Sequence, residues 1–182
     1  PKTPRRQRQM CIRDRSSHGA TIGIILSIIL YKIKYKYESV LWIFDRLVIV
    51  VAFGGMLVRI GNFFNSEIVG NYTNSNFGVI FLNRSETLPR HPAQLYESFG
   101  YLILFIILYT LYHRTKLRDK KGFFFGFFLI FLFGVRFLVE YVKESQGGIE
   151  NYLGLLTTGQ WLSIPFMLIG LIILLRSNLK RI

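Results

Sequence analysis

Two arginines, Arg59 and Arg136, stand inside apolar runs long enough to cross a bilayer. Ionised side chains at such positions are costly and normally face a bundle interior or a water-filled cavity. A guanidinium stays charged at any relevant pH and grips phosphate oxygens with a two-pronged fork. Around these arginines the polar residues fall into five short motifs. His18 lies in SHGATIG, and Arg59, Asn62, Asn65 and Glu67 lie in VRIGNFFNSEIVG. His91, Gln94, Tyr96 and Glu97 lie in PRHPAQLYES, Arg136 and Glu140 in GVRFLVEYVKE, and Gln160 in TTGQWLSIP. Arg59 and Asn62 are three apart, and Arg136 and Glu140 four apart, so each pair shares a helix face and the second can form an ion pair. Such a pair taken alone is equally a structural clamp between helices. Two arginines meeting a histidine and several amides at one depth point instead to a phosphate-diester site, with the glutamates orienting the arginines. Gly54, Gly55, Gly61 and Gly70 beside these residues permit close helix approach or unusual loop dihedrals.

The elements that must position these residues are membrane helices. The chain has 182 residues, is 51% hydrophobic and carries a formal charge of +13. In a soluble domain that charge would suggest nucleic acid, but here the basic residues cluster between long apolar runs and no nucleic-acid reader motif accompanies them. A bilayer core of about 30 Å needs roughly 20 apolar helical residues. Five segments meet this length, at 17–35, 39–60, 95–112, 122–142 and 159–175. The fold class is therefore an all-α polytopic membrane helix bundle with five spans. Lys32, Lys34 and Lys36, then Arg114, Lys116, Arg118, Lys120 and Lys121, and finally Arg176, Lys180 and Arg181 fall on one side by alternation. The excess of positive charge marks that side, with the C-terminus, as cytoplasmic. All five motifs then face outward.

The first fifteen residues, PKTPRRQRQMCIRDR, hold six basic residues and one acidic residue and lack the apolar core of a signal peptide. They break the charge rule and read as foreign sequence joined to a transmembrane domain at 16–182. The single cysteine, Cys11, rules out an internal disulfide and any zinc site built on several cysteines. His91, next to a proline that suits a first helical turn, reads as structural. His113 reads as a solvated loop residue, and Asp45 with Arg46 as a structural pair at the inner end.

RIGNFFNSEIVG resembles the signature segment of the prolipoprotein diacylglyceryl transferase family. HPAQLYE, RFLVE and TTGQWLSIP are similar to its later motifs in the same order, and SHGATIG to its histidine-glycine segment. The resemblance covers about 16–176. Val58 stands where the family usually has glycine, and Ala20 replaces a common second glycine. The resemblance implies a seven-helix bundle of which this chain carries the last five, so an N-terminal tyrosine important in the family has no counterpart here. It implies attack by a lipobox cysteine thiol of a prolipoprotein on a glycerol carbon of phosphatidylglycerol, with no metal or other cofactor. His18 is then the expected base, since only the thiolate is a strong nucleophile. Arg59 and Arg136 stabilise the departing phosphate, and Asn62, Glu67, Gly70 and Glu140 complete the site. Two other classes stay open on the residues alone: a transporter with an outward anionic site, against which the absence of a repeat argues, and a non-catalytic scaffold.

Overall fold

The computed structural model describes residues 23, 24, 26–35, 39–144 and 156–179. The chain divides into two units, Pro1–Ile43 and Phe44–Ile182. In the first, residues 26–34 are helical and Tyr31 packs on Tyr35 with ring centroids 4.8 Å apart. Residues 17–22 and 25 of the expected first span, His18 among them, lie outside the described residues.

The second unit holds most of α1 (Val40–Phe64) and all of α2 (Ala93–Arg114), α3 (Phe123–Val139) and α4 (Thr158–Leu179). Among the described residues these four helices are long and apolar enough to cross a membrane. Helix is what such sequences must form in lipid, because it pairs the backbone groups within one segment where no water is present to do so. The helices also show apolar side chains outward, with Val50, Val58, Phe99 and Leu138 all more than 60% exposed. A soluble bundle would hide those residues, whereas lipid solvates them.

Small residues and apolar layers set the packing. Val48 and Ala52 of α1, Leu104 and Leu108 of α2, and Phe124, Phe128 and Leu129 of α3 form the buried core. Helices α3 and α4 cross where glycine faces glycine. A Cβ on Gly126 would lie 2.8 Å from the Gly170 carbonyl oxygen, and one on Gly170 would lie 2.8 Å from that of Gly126. Further along the same antiparallel pair, Phe133 stacks on Phe166 at 4.5 Å.

At the Asp45 end of the bundle, α1 holds the start of α3. The Asp45 carboxylate accepts hydrogen bonds from Gly122 N at 2.6 Å and Phe125 N at 2.9 Å. It thus caps from another helix the N–H groups that the first turn of α3 leaves unpaired. The Arg46 guanidinium lies over the Tyr112 ring, 5.9 Å from its centroid. Asp45 and Arg46 therefore each have an interhelical partner of their own.

The segment from 65 to 92 joins α1 to α2 and contains no strand, only isolated antiparallel bridges. Gly70 pairs with Lys143, and Arg90 with both Tyr72 and Val79. Residues 69–71 are held on both sides. Gly70 N donates to His91 O at 2.9 Å and His91 N to Asn71 O at 3.0 Å, while Asn71 N donates to Val142 O at 2.8 Å and Glu144 N to Val69 O at 3.2 Å.

Candidate phosphate-binding site

At the opposite end of the bundle from Asp45, four segments contribute charged groups. Arg59 comes from the last turns of α1, Glu97 from the first turns of α2, Arg136 from the last turn of α3, and Glu140 and Lys143 from the 3-10 turn (Glu140–Val142) and the residue after it. Arg59 Nε lies 2.7 Å from Glu97 Oε2, and the Glu97 side chain is 1% exposed. Lys143 Nζ lies 3.4 Å from Glu140 Oε2 and 3.8 Å from Glu97 Oε1. Charge therefore alternates along the series Arg59, Glu97, Lys143, Glu140. Such alternation keeps buried charges tolerable in a low-dielectric interior.

Tyr101, one turn after Glu97, is buried beside Arg59. It is in hydrogen-bond contact with Arg59 and within electrostatic range of Glu97 and Arg136. Its ring packs on Gly55, where a Cβ would lie 3.4 Å from the ring edge. Helices α1 and α2 therefore meet here at a separation that a Cβ would also tolerate. Ser98 Oγ fixes the same approach by donating to Met56 O at 3.2 Å. Arg136 differs from Arg59. Its Nε is buried with no hydrogen-bond partner, and its guanidinium lies 5.9 Å from the Phe133 ring centroid. Glu97 Oε1 likewise has no hydrogen-bond partner. Buried polar atoms are normally satisfied, so the Arg136 donor and the Glu97 acceptor are two hydrogen-bonding capacities left unused in one cluster.

The expected Arg136–Glu140 pair is not formed. Helix α3 ends at Val139, Glu140 opens the 3-10 turn, and its carboxylate pairs with Lys143 instead. Glu140 N still donates to Arg136 O as in an α-helix, so the two residues keep a common face, and it is the carboxylate that is drawn away from Arg136, to Lys143. Glu140 packs instead against Gly159 at the start of α4, where a Cβ would collide with its carboxylate. Gln160, 2% exposed, donates from Nε2 to Phe137 O at 3.4 Å and so ties α4 to the end of α3.

The signature residues Asn62, Glu67 and Gly70 frame this end of the bundle. Asn62 O accepts from Glu67 N at 2.9 Å as the chain leaves α1. Buried Gln94 donates to Glu67 O at 2.6 Å. Between them the backbone takes positive φ at Ser66, 56°, and at Ile68, 57°. A β-branched residue is rare in that region, so the turn is held by its surroundings. Gly70 must be glycine for lack of space: a Cβ there would lie 2.6 Å from His91 O and 2.7 Å from Val142 O. Gly54 and Gly61 have nothing within 4 Å of such a Cβ and Gly55 has only ordinary contact, so of these four the close-approach expectation applies to Gly70. His91 Nδ1 lies 3.3 Å from the Tyr96 hydroxyl, in keeping with its structural reading.

Lys143 is not among the expected site residues, and Glu97 is expected only as one of the glutamates that orient the arginines. Glu97 was legible as a carboxylate in an apolar run, and Lys143 as a cation three residues after Glu140. Only the interhelical geometry makes Glu97 the partner of Arg59.

A family model described as prolipoprotein diacylglyceryl transferase matches residues 15–176. The chain is 45% identical over 162 residues to a phosphatidylglycerol–prolipoprotein diacylglyceryl transferase of Tolumonas auensis, covering 89% of this chain and 62% of that protein. It is 42% identical to the Bacteroides fragilis protein of the same name, covering 86% of this chain and 55% of that one. For the Rickettsia typhi protein of that name the identity is 43%, over 91% of this chain and 63% of the relative. The chain thus spans about three fifths of the length of the curated relatives it matches.

Proposed function

The chain belongs to the prolipoprotein diacylglyceryl transferase family, and from that premise we propose that the protein containing it transfers a diacylglyceryl group from phosphatidylglycerol to the lipobox cysteine of a prolipoprotein. The observation that carries this reading is that Arg59 of α1 and Arg136 of α3 stand at the same end of the bundle, with Arg136 Nε buried and unpartnered. An arginine held with an open donor in a membrane bundle is prepared for an anion. The phosphate of a phospholipid is the anion normally found at the membrane interface.

In this reading five spans cross the bacterial inner membrane, the C-terminus is cytoplasmic, and the arginine site faces outward. The basic loops between the spans support that orientation. The lipobox thiol gives its proton to a base, assigned to His18 on its motif. The sulfur forms a bond to the glycerol carbon as the carbon–oxygen bond to phosphate breaks, and the electron pair leaves with glycerol phosphate. The phosphate gains charge as it departs, so the fork of Arg136 and the Arg59 guanidinium stabilise the transition state more than the ground state. Glu97 holds Arg59 in place while the site is empty. Asn62, Glu67, Gly70 and Glu140 shape the cavity around the headgroup. No metal or organic cofactor enters the scheme.

The test uses the full-length gene product that contains this chain, in cells depleted of their own lipoprotein transferase. It should restore lipoprotein modification, and Arg136→Ala should abolish the rescue at equal membrane abundance. Full rescue by Arg136→Ala would remove the phosphate role.

A further inference from the structure

Beyond the cluster around Tyr101 lies a second charged assembly that the scheme above does not use. Arg84 and Arg90 share the same two carboxylates in a closed ring. Arg84 Nε lies 3.0 Å from Glu86 Oε1, and its Nη2 lies 3.3 Å from Glu144 Oε2. Arg90 Nε lies 2.5 Å from Glu86 Oε2, and its Nη1 lies 3.1 Å from Glu144 Oε1. The ring is neutral and joins the 65–92 segment to the residues that follow α3.

The two arginines are alike in ionic partners and unlike in everything else. The Arg84 side chain is 35% exposed and that of Arg90 only 5%. Arg90 also donates from Nη1 to the Gly70 carbonyl at 3.1 Å, and its guanidinium lies 3.8 Å from the Tyr72 ring centroid. Gly70 is the residue with no room for a side chain between His91 and Val142. Its neighbour Asn71 bonds to Val142 O, one residue before Lys143. Arg90 therefore grips the signature segment at the point where that segment fixes the chain carrying Lys143 and Glu140.

We infer that Arg90 is a positioning residue for the phosphoglycerol site, acting through the Gly70 carbonyl to hold residues 69–71 against 142–144. Its catalytic consequence rests on the function proposed above, while its positional consequence does not. Arg84 supplies the internal control. Either arginine's loss breaks two ion pairs of the ring, but only the loss of Arg90 releases Gly70. A lysine at position 90 keeps the charge but cannot bond Glu86, Glu144 and Gly70 O in one plane.

The experiment compares Arg84→Gln, Arg90→Gln and Arg90→Lys in the full-length gene product, in bilayers containing phosphatidylglycerol. Hydrogen exchange at the Gly70 and Asn71 amides is read beside kcat and KM. Arg90→Gln should lose protection at both amides and lower kcat/KM by about 10-fold to 100-fold, the scale expected when reacting groups are displaced by about an ångström. Arg90→Lys should fall between it and wild type, and Arg84→Gln should keep both readouts near wild type. Should Arg90→Gln fail to fold, Arg90→Lys against Arg84→Gln carries the comparison. Equal effects from the two positions, or unchanged exchange at Gly70 in the Arg90 variants, would overturn the inference. If exchange changes as expected while Arg136→Ala remains active, the positioning stands and the phosphate reading falls.

Discussion

The two ends of the bundle each bury a carboxylate, and they treat it in opposite ways. Asp45 is 2% exposed and both its oxygens accept backbone N–H groups from the first turn of α3. Glu97 is 1% exposed; one oxygen meets Arg59, the other has no hydrogen-bond partner, and the nearby Arg136 Nε has none either. A fully satisfied buried group fixes one arrangement of helices. A partly satisfied cluster in a low dielectric is unstable by itself and gains most from a ligand. The difference teaches that burial and charge alone do not mark a site. What sets the Arg59 end apart is that charged groups there, at Glu97 and Arg136, leave hydrogen bonds unmade.

Substitutions at the two ends separate these roles. The largest effect is expected from Arg59→Lys, because an ammonium cannot reproduce the fork that meets Glu97, Tyr101 and the proposed phosphate. Diacylglyceryl transfer should fall by roughly 100-fold to 1000-fold, the range seen when a transition-state donor is removed, while thermal unfolding in detergent changes little. Wild-type turnover would count against direct phosphate contact. Glu97→Gln comes next, since it frees Arg59 from its fixed partner without removing the cation. Turnover should drop by about 10-fold to 100-fold through lost orientation, again with a small change in unfolding temperature. A large loss of stability with normal turnover per folded molecule would make Glu97 equivalent to Asp45.

Asp45→Asn should show the reverse pattern. An amide nitrogen would face one of the two N–H donors at Gly122 and Phe125, and stability should fall by about 2 kcal/mol, the upper range for a lost helix cap. Activity per folded molecule should persist, which a parallel unfolding and turnover measurement would check. The smallest effect concerns pH. The hydrogen bond from Arg90 holds the Glu86 carboxyl below its usual value of 4.5, with the neighbouring Arg84 acting in the same sense. A carboxylate with a depressed folded pKa stabilises the fold above its unfolded pKa, and that contribution disappears as pH falls through the folded value. Glu86→Gln should therefore flatten the loss of stability below about pH 4.5 and leave neutral behaviour nearly unchanged. Identical acid unfolding curves would show that the charged ring contributes nothing.

The helices and the gathering of charged residues at one end were legible in the sequence for a simple reason. Hydropathy over about 20 residues and the fixed rise of a helix are local quantities, readable without partners. Thus Arg59, Glu97 and Arg136 could be placed at a common depth from their distances to span ends. The RIGNFFNSEIVG segment could likewise be singled out by its dense polar residues at the close of an apolar run.

Partner choice was decided only by the tertiary structure. Glu97 rather than Glu140 meets Arg59 because α2 packs on α1 at that level, with Ser98 bonded to Met56 O. Arg136 loses its expected partner because the Glu140 carboxylate turns to Lys143 and to Gly159 at the start of α4. Arg90 grips Gly70 across twenty residues because 69–71 is pinned between two distant segments. Each of these pairings depends on helix rotation and separation to within an ångström or so, and no sequence spacing encodes those quantities when the partners sit on different elements.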